Sequence, residues 1–432
     1  MMVEKPPSTG SVDMLRDEVR RLRRAVDELS ILNELAQSIG ASFNAEEIMQ
    51  IIIRRSQRAV NADQGVITLV DNEPQSMKTL IRTMVKSADA PEYHLHQALL
   101  GWMHLNKKPL VVDDPQHDSR FGGVQWDKGI RSVLCVPLMV KSELRGVLAL
   151  YNKKDGEAFT ADDQRLAAII AAQSAQVIEN ARLIEKEKMY ITLQQEVGLA
   201  ATIQRDLLPQ STPELPGYDI CARTIPAQSV GGDYFDFIPK GDGRVALCLG
   251  DVSGKGLPAS LLMANLQATL RGQTLVSQLP SECLRRSNIL LLQSTSPDKF
   301  ATVFYGILDG TQHTMHYANA GHDWPLLIAE DGGIRRLATG GPVLGVFEEA
   351  SYEDECIPLQ PGDLLVIQTD GISEALNVHQ EQFGDEQLKN LLLERRDRSA
   401  EDIVDTVIRE VKKHAGASLQ SDDITIMVVK RV

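Results

Sequence analysis

Two repeat lengths alternate along this chain. Between Val12 and about Gly40 the residues Leu15, Leu22 and Leu29 stand a heptad apart, and Ala25, Leu32 and Ala36 fill the seam between them. That spacing predicts a short coiled coil over 13–40, behind a polar tail at 1–12 that contains Pro6 and Pro7. Gly40 suits a helix stop, and Ser42 to Glu46 offers a polar restart for an amphipathic helix carrying Ile48, Ile51, Ile52 and Val60. The period then shortens to that of strands, over Gly65 to Val70, Thr79 to Val85, Ser132 to Val140 and Leu144 to Tyr151. The last two flank Lys141 to Glu143 as an antiparallel hairpin, and a sheet this small needs helices packed on it to bury its apolar face.

A helical pattern returns at Thr160, a plausible N-cap followed by Asp162 and Asp163, and meets no proline until Pro209. Leu166, Ile170, Val177, Ala181, Ile184, Ile191, Val197, Ala201 and Leu208 fall roughly on one face, whereas Glu185 to Lys188 suit a solvated one. A helix of this length with no core of its own is expected to pair with a second copy, giving a homodimer through 160–208 and through the N-terminal coiled coil. A rigid spacer is the plainer alternative.

Beyond Pro209, Pro213 and Pro216 the chain alternates strands and helices in blocks. Strands are expected at Tyr218 to Arg223, Val245 to Gly250, Thr302 to Leu308, Thr314 to Asn319, Leu364 to Thr369 and Ile424 to Val429. Helices are expected at Leu257 to Arg271, Ser281 to Leu292, Glu386 to Glu394 and Ala400 to His414. Blocks of this kind argue for antiparallel sheets covered by helices, an α+β architecture rather than a doubly wound parallel sheet.

Composition narrows the function. A length of 432 residues suits two domains with connecting helices, and 43% hydrophobic content allows each to build a core. A net charge of −14 disfavours nucleic acid and anionic membranes, and no apolar run is long enough to span a bilayer, so a soluble, cytoplasmic protein is expected. The five cysteines are scattered without metal or disulfide spacing.

The chemistry lies in four acidic phrases of the C-terminal half: Gly231 to Asp236, Gly250 to Gly256, Thr369-Asp370-Gly371, and Ser421 to Thr425. A carboxylate at a strand end is held rigidly, and an adjoining glycine lets the backbone approach an ion. Any one such Asp-Gly can be merely a turn. Several carboxylates brought together repel one another unless cations or protons intervene, and an all-oxygen set suits Mg²⁺ or Mn²⁺. Two such ions about 3.5 to 4 Å apart can clamp a phosphoryl group. Gly250 to Gly256 is not a nucleotide-binding P-loop, because Leu249 and Gly256 stand where that motif needs glycine spacing and a hydroxyl.

From Ala200 onward the chain resembles the metal-dependent PPM phosphatases, in the bacterial branch that includes SpoIIE and RsbU. The matching phrases run in family order: Ala201 to Gln204 with Leu207 to Pro209, Val230 to Asp236, Gly250 to Leu257, Thr302 to Gly306, Asn319 to His322, Gly341 to Gly345, Pro361 to Asp363, Thr369 to Ile372 and Asp422 to Thr425. The resemblance implies two antiparallel sheets sandwiched between helices. It also implies two divalent cations held by Asp233, Asp251, the Val252 carbonyl, Asp370 and Asp422, with Asp236 and Asp423 as outer supports. The implied substrate is phosphoserine or phosphothreonine on a regulatory protein such as an anti-sigma-factor antagonist.

The eukaryotic branch of that family has a histidine after the central Asp-Gly, where this chain has Val252 and Ser253. His322 is then either a catalytic acid or the brace of a turn, and Lys255 either a guide for the substrate phosphate or a solvated lysine. The segment 41–159 resembles a GAF sensor domain through Ser132 to Val140, Gly146 to Leu148 and Ile178 to Leu183, which implies an unidentified small ligand. Asn152, Lys153, Phe159 and Asp163 echo a cyclic-nucleotide GAF pattern, but Gln164 replaces its final acid, which favours a structural role. The expected order is therefore a sensor at 41–159, a helix at 160–208 and a phosphatase at 209–432. The rival readings are a catalytically inactive pseudophosphatase acting as a scaffold, and a GAF dimer that only senses a ligand.

Overall fold

The computed structural model describes residues 45–73, 76–85 and 93–432; the predicted tail and first coiled coil lie outside them. The chain divides into two compact units, the first ending at Thr192 and the second beginning at Leu193. Among the described residues, no helix is long and apolar enough to cross a membrane.

The first unit begins with helix α1 (Ala45–Ala59), whose buried face is Ile48, Met49, Ile52 and Ile53. It continues through β1 (Ala62–Glu73), β2 (Ser76–Val85), α2 (Gln97–Asn106), β3 (Leu110–Val112), β4 (Val133–Val140) and β5 (Glu143–Lys153). The sheet order is β2-β1-β5-β4-β3, antiparallel throughout. The predicted hairpin is present: Val140 pairs with Glu143, and Lys141 and Ser142 both take positive φ, the two-residue turn whose twist matches its strands. One face of the sheet carries α1 and the start of helix α3 (Ala161–Leu207), with Ala167, Ile170, Ala171, Ala175 and Ile178 in the core. On the other face pack Leu99 and Met103 of α2 with Tyr93, Phe121 and Ile130.

Helix α3 starts where its cap predicts. The Asp163 amide donates to Thr160 Oγ1 at 3.2 Å while the Thr160 amide donates to Asp163 Oδ2 at 2.8 Å, a reciprocal cap that satisfies two otherwise orphaned donors.

The second unit is a four-layer α+β sandwich. Its strands and helices are β6 (Tyr218–Ile225), β7 (Tyr234–Gly241), β8 (Arg244–Val252), α4 (Leu257–Val276), α5 (Pro280–Ser294), β9 (Ala301–Asp309), β10 (Thr314–Ala320), β11 (Leu326–Ile328), β12 (Ile334–Arg336), β13 (Gly340–Gly341) and β14 (Glu355–Pro358). There follow β15 (Leu364–Gln368), α6 (Asp370–Ser373), α7 (Asp385–Arg395), α8 (Ala400–Ala415) and β16 (Ile424–Arg431). One sheet runs β13-β10-β9-β8-β7 with β14 on β10, and the other β12-β11-β15-β16-β6. The single parallel pairing, Asn319–Ala320 with Gly340–Gly341, departs from the antiparallel expectation at an edge.

Strand alternation sorts the side chains into three cores. Tyr234, Ile238, Ala246 and Cys248 face α4 and α5. Phe235, Phe237, Leu247 and Leu249 meet Leu365, Ile367, Met427 and Val429 between the sheets. Leu364, Val366, Ile426 and Val428 pack on α7 and α8, where Leu388, Leu392, Ile403 and Val407 are buried. Of the longer elements, β7 and α2 were not expected from the sequence.

Candidate active site and metal centre

The sandwich brings strand ends from both sheets to one place. Asp251 stands next to the last residue of β8, and Asp233 immediately precedes β7, where Tyr234 pairs with Gly250. Across the sandwich β15 ends at Gln368, so that Asp370 opens α6, and Asp422 and Asp423 precede β16. Hydrogen bonds between the layers fix the meeting. Thr369 Oγ1 donates to Asp233 Oδ2 at 2.9 Å, and Asp423 Oδ2 accepts from the amides of Gly232 at 2.6 Å and Asp233 at 3.2 Å. Asp423 Oδ1 accepts from the Ala227 amide at 2.7 Å, so this carboxylate fastens the whole loop entering β7. Gly371 lies against the Asp423 carbonyl, where no Cβ would fit.

Electrostatics confirm one shared environment. Burial raises the Asp233 carboxyl well above its usual range, and the charges of Asp251 and Asp423 raise it further, against a hydrogen bond from Thr369. Asp251 is pushed up to about 7, first by burial and then by Asp370, Asp422 and Asp423, with Lys255 opposing. Asp370 is raised by burial, then by Asp422, Glu374 and Asp323. These acids reinforce one another's reluctance to ionise, which is the condition that bound cations relieve.

Do the residues fit divalent ions? The donors are carboxylates and one carbonyl, all hard oxygens. A Cβ built on Gly232 would stand 3.1 Å from the Val252 carbonyl oxygen and 3.4 Å from Asp251 Oδ1, so the missing side chain keeps open the space those two oxygens face. The donor chemistry fits. The side chains as placed do not close on a point: among the described residues no three His, Cys, Asp or Glu groups are arranged to hold an ion. Lys255 Nζ instead donates to Asp422 Oδ2 at 2.8 Å and to the Ser421 carbonyl at 2.7 Å, so an ion at Asp422 competes with this ammonium.

Two other expectations meet their geometry here. Asp236 does not join the cluster. It is fully buried on the face of β7 turned to α4, where Arg271 donates to both its oxygens at 2.6 and 3.0 Å and Tyr234 Oη donates at 2.7 Å. Arg271 and Tyr234 occupy the Asp236 oxygens, whereas Asp423 bonds the Gly232 and Asp233 amides, which corrects the pairing of Asp236 with Asp423 as outer supports. His322 is a brace. Its amide and carbonyl bond the Asn319 side chain, Nε2 donates to the Gln368 carbonyl at 3.0 Å, and Nδ1 accepts from Thr302 Oγ1 at 3.1 Å. With Nε2 facing a carbonyl, that nitrogen carries the ring proton.

Sequence reasoning assigned no role to Thr369 or to Gln204. Thr369 could have been suspected from its place beside Asp370. Gln204 lies 27 residues from its partner Gly231, and no local signal joins them.

Comparison with known proteins agrees with this geometry. Residues 241–432 match the model of the stage II sporulation protein E (SpoIIE) family, and residues 44–179 match a GAF domain. The interval 241–432 contains Asp251, Asp370 and Asp422, and Asp233 stands just ahead of it. The chain is 30% identical over 264 residues to protein IcfG of Synechocystis, covering 55% of this chain and 41% of IcfG. It is 28% identical over 240 residues to the phosphoserine phosphatase RsbU of Bacillus subtilis, covering 55% of this chain and 71% of RsbU. The chain thus spans less than half the length of the first of these relatives. The SiaA-PP2C domain of Pseudomonas aeruginosa superposes with a TM-score of 0.50 at 20% identity, over 56% of this chain and 98% of that domain, a likeness of fold. Residues 241–432 are therefore a SpoIIE-like domain with a PP2C-like fold, and residues 44–179 are a GAF domain ahead of it in the chain.

Proposed function

We propose that this protein is a metal-dependent serine/threonine phosphatase that removes phosphate from a phosphoserine or phosphothreonine of a regulatory protein. The observation that carries the reading is the convergence of Asp233, Asp251, Asp370 and Asp422 from the strand ends of two sheets, with the carboxyls of Asp233, Asp251 and Asp370 raised by burial and by neighbouring acids. Asp233, Asp251, the Val252 carbonyl, Asp370 and Asp422 would hold two Mn²⁺ or Mg²⁺ ions. Such ions, when bound, supply an activated water and neutralise the phosphoryl oxygens. The chain's own residues do the rest. Asp423 holds the Gly232 and Asp233 amides in place, and Thr369 fixes the Asp233 carboxylate from the opposite sheet. His322 ties Gln368, at the end of β15, to Thr302 of β9.

The likeness to RsbU supports phosphoserine as the substrate group, and a small anti-sigma-factor antagonist is the protein class we assign to it. Regulation is assigned to the GAF domain acting through α3 in a homodimer. Leu183, Met189, Leu193, Leu199 and Ile203 of that helix are each more than half exposed in the single chain, an apolar surface that a second copy would cover.

The test is manganese-dependent phosphate release from a phosphoserine-bearing protein by the full chain. Asp251→Ala and Asp370→Asn are expected to abolish it, and equal activity in either variant contradicts the assignment.

A further inference from the structure

Between Leu193 and Leu207 the last turns of α3 are exposed or half-buried at every position but one, and that one is polar: Gln204. A buried primary amide must find partners, and Gln204 finds both in the backbone of one residue, Gly231. Its Nε2 donates to the Gly231 carbonyl at 2.6 Å, and its Oε1 accepts from the Gly231 amide at 3.0 Å. The side chain thus pairs with Gly231 as a neighbouring strand would, the glutamine amide offering a donor and an acceptor together where an ionised glutamate offers acceptors alone. Gly231 cannot move aside freely, because a Cβ there would strike the Asp423 carboxylate that also holds Gly232 and Asp233. The same helix end is fixed again where Gln267 Nε2 of α4 donates to the Leu207 carbonyl at 3.2 Å.

We infer that Gln204 is a positioning residue for the metal centre: it clamps the end of α3 to the Gly231-Gly232 backbone and so sets where Asp233 stands. This deepens the proposed function and rests on it, since it assumes that Asp233 is a metal ligand. It also gives rotation of α3 a physical route to the site, because a roll of the helix end pulls on Gly231 through this side chain.

The experiment is calorimetric titration of Mn²⁺ into the full chain, with thermal unfolding as the check on folding. Gln204→Met keeps the volume and removes both hydrogen bonds. Loss of a partner that orients a ligand weakens metal binding about 10- to 100-fold, and that is the expected result. Phosphate release should fall at limiting Mn²⁺ and return to within about threefold of wild type at saturation, a pattern that a purely structural loss would not give. Thr202→Ala, on the exposed side of the same turn, should leave affinity unchanged. If Gln204→Met does not fold, Gln204→Glu decides. Its carboxylate accepts but cannot donate to the Gly231 carbonyl, so its Mn²⁺ affinity should fall about 10- to 100-fold below wild type measured at the same pH. Folded Gln204→Met or folded Gln204→Glu with wild-type Mn²⁺ affinity overturns the inference. Failure of the parent reading looks different: wild type itself would bind no Mn²⁺ or release no phosphate.

Discussion

The two units handle polar residues at their strand ends in opposite ways. At the end of β5 in the first unit, Asn152 is buried and satisfied: its Oδ1 accepts from the amides of Arg131 at 2.7 Å and Ser132 at 3.3 Å, and its Nδ2 donates to the Gly129 carbonyl at 2.9 Å. Beside it Lys153 pairs with Asp163 at 2.8 Å, and that same carboxylate caps α3. These residues hold a sheet to a helix. In the second unit, Asp233, Asp251 and Asp370 gather with their carboxyls raised by burial and by one another. Asp236, close to Asp233 in the chain, shows that the fold can pair a buried acid when pairing is all that is needed, since Arg271 answers both its oxygens. Polar groups that satisfy one another are building a fold, and those that cannot are waiting for something to bind.

That contrast can be broken experimentally at several points. The largest effect belongs to the unanswered acids. Since loss of a supporting partner alone costs about 10- to 100-fold, Asp251→Asn or Asp370→Asn should cost more than about 100-fold in phosphate release. In the absence of metal the same variants should unfold at a temperature no lower than wild type, because a mutually repelling charge has gone. A large fall in that temperature would place these acids with the structural ones.

His322 sharpens the other side of the comparison. Burial pushes its imidazole from 6.5 down to about 4, against the Gln368 carbonyl, which favours the charged ring. Between those values the unfolded chain binds the proton more readily than the folded one. Its stabilising contribution is therefore present above pH 6.5 and is lost as pH falls toward 4, on the order of 3 kcal/mol in all. His322→Asn should flatten this part of the stability profile, as measured by denaturant unfolding at a series of pH values.

Arg271→Met should leave Asp236 buried without its cation. Breaking such a pair costs about 3 to 5 kcal/mol when both partners are buried, and the half-exposed Arg271 brings the expected loss to about 2 to 3 kcal/mol in urea unfolding. Smallest is Asn152→Ala, about 2 kcal/mol, from two amides and a carbonyl left unanswered and from a φ of 51° that suits Asn better than Ala. It should leave Mn²⁺ affinity untouched.

Much of this arrangement was legible in the residues, for physical reasons that also mark where legibility stopped. The ends of α3 announced themselves through the Thr160 cap and Pro209, and the β4–β5 hairpin through its polar two-residue turn. Asp251, Asp370 and Asp422 were recognisable because each sits where an apolar strand meets glycine or a second acid. Asp236 was misread because the phrase Gly231 to Asp236 was taken as one acidic site. The strand β7 hidden in it, with Tyr234 and Phe235 on opposite faces, would have sent Asp233 and Asp236 apart. The short strands β11 to β14 carry too few residues to show any period, and their pairing depends on partners distant in the chain. The Gln204 clamp is likewise a product of the folded state, since nothing near Gln204 in sequence announces Gly231.

The central claim is that the carboxylates converging from two sheets hold divalent cations. Calorimetric titration of Mn²⁺ into the full chain tests it most directly, with Asp251→Asn and Asp370→Asn run beside wild type. The account predicts two ions bound by wild type and a loss of binding in both variants. Wild type that binds no Mn²⁺, or variants that bind it as wild type does, would contradict it.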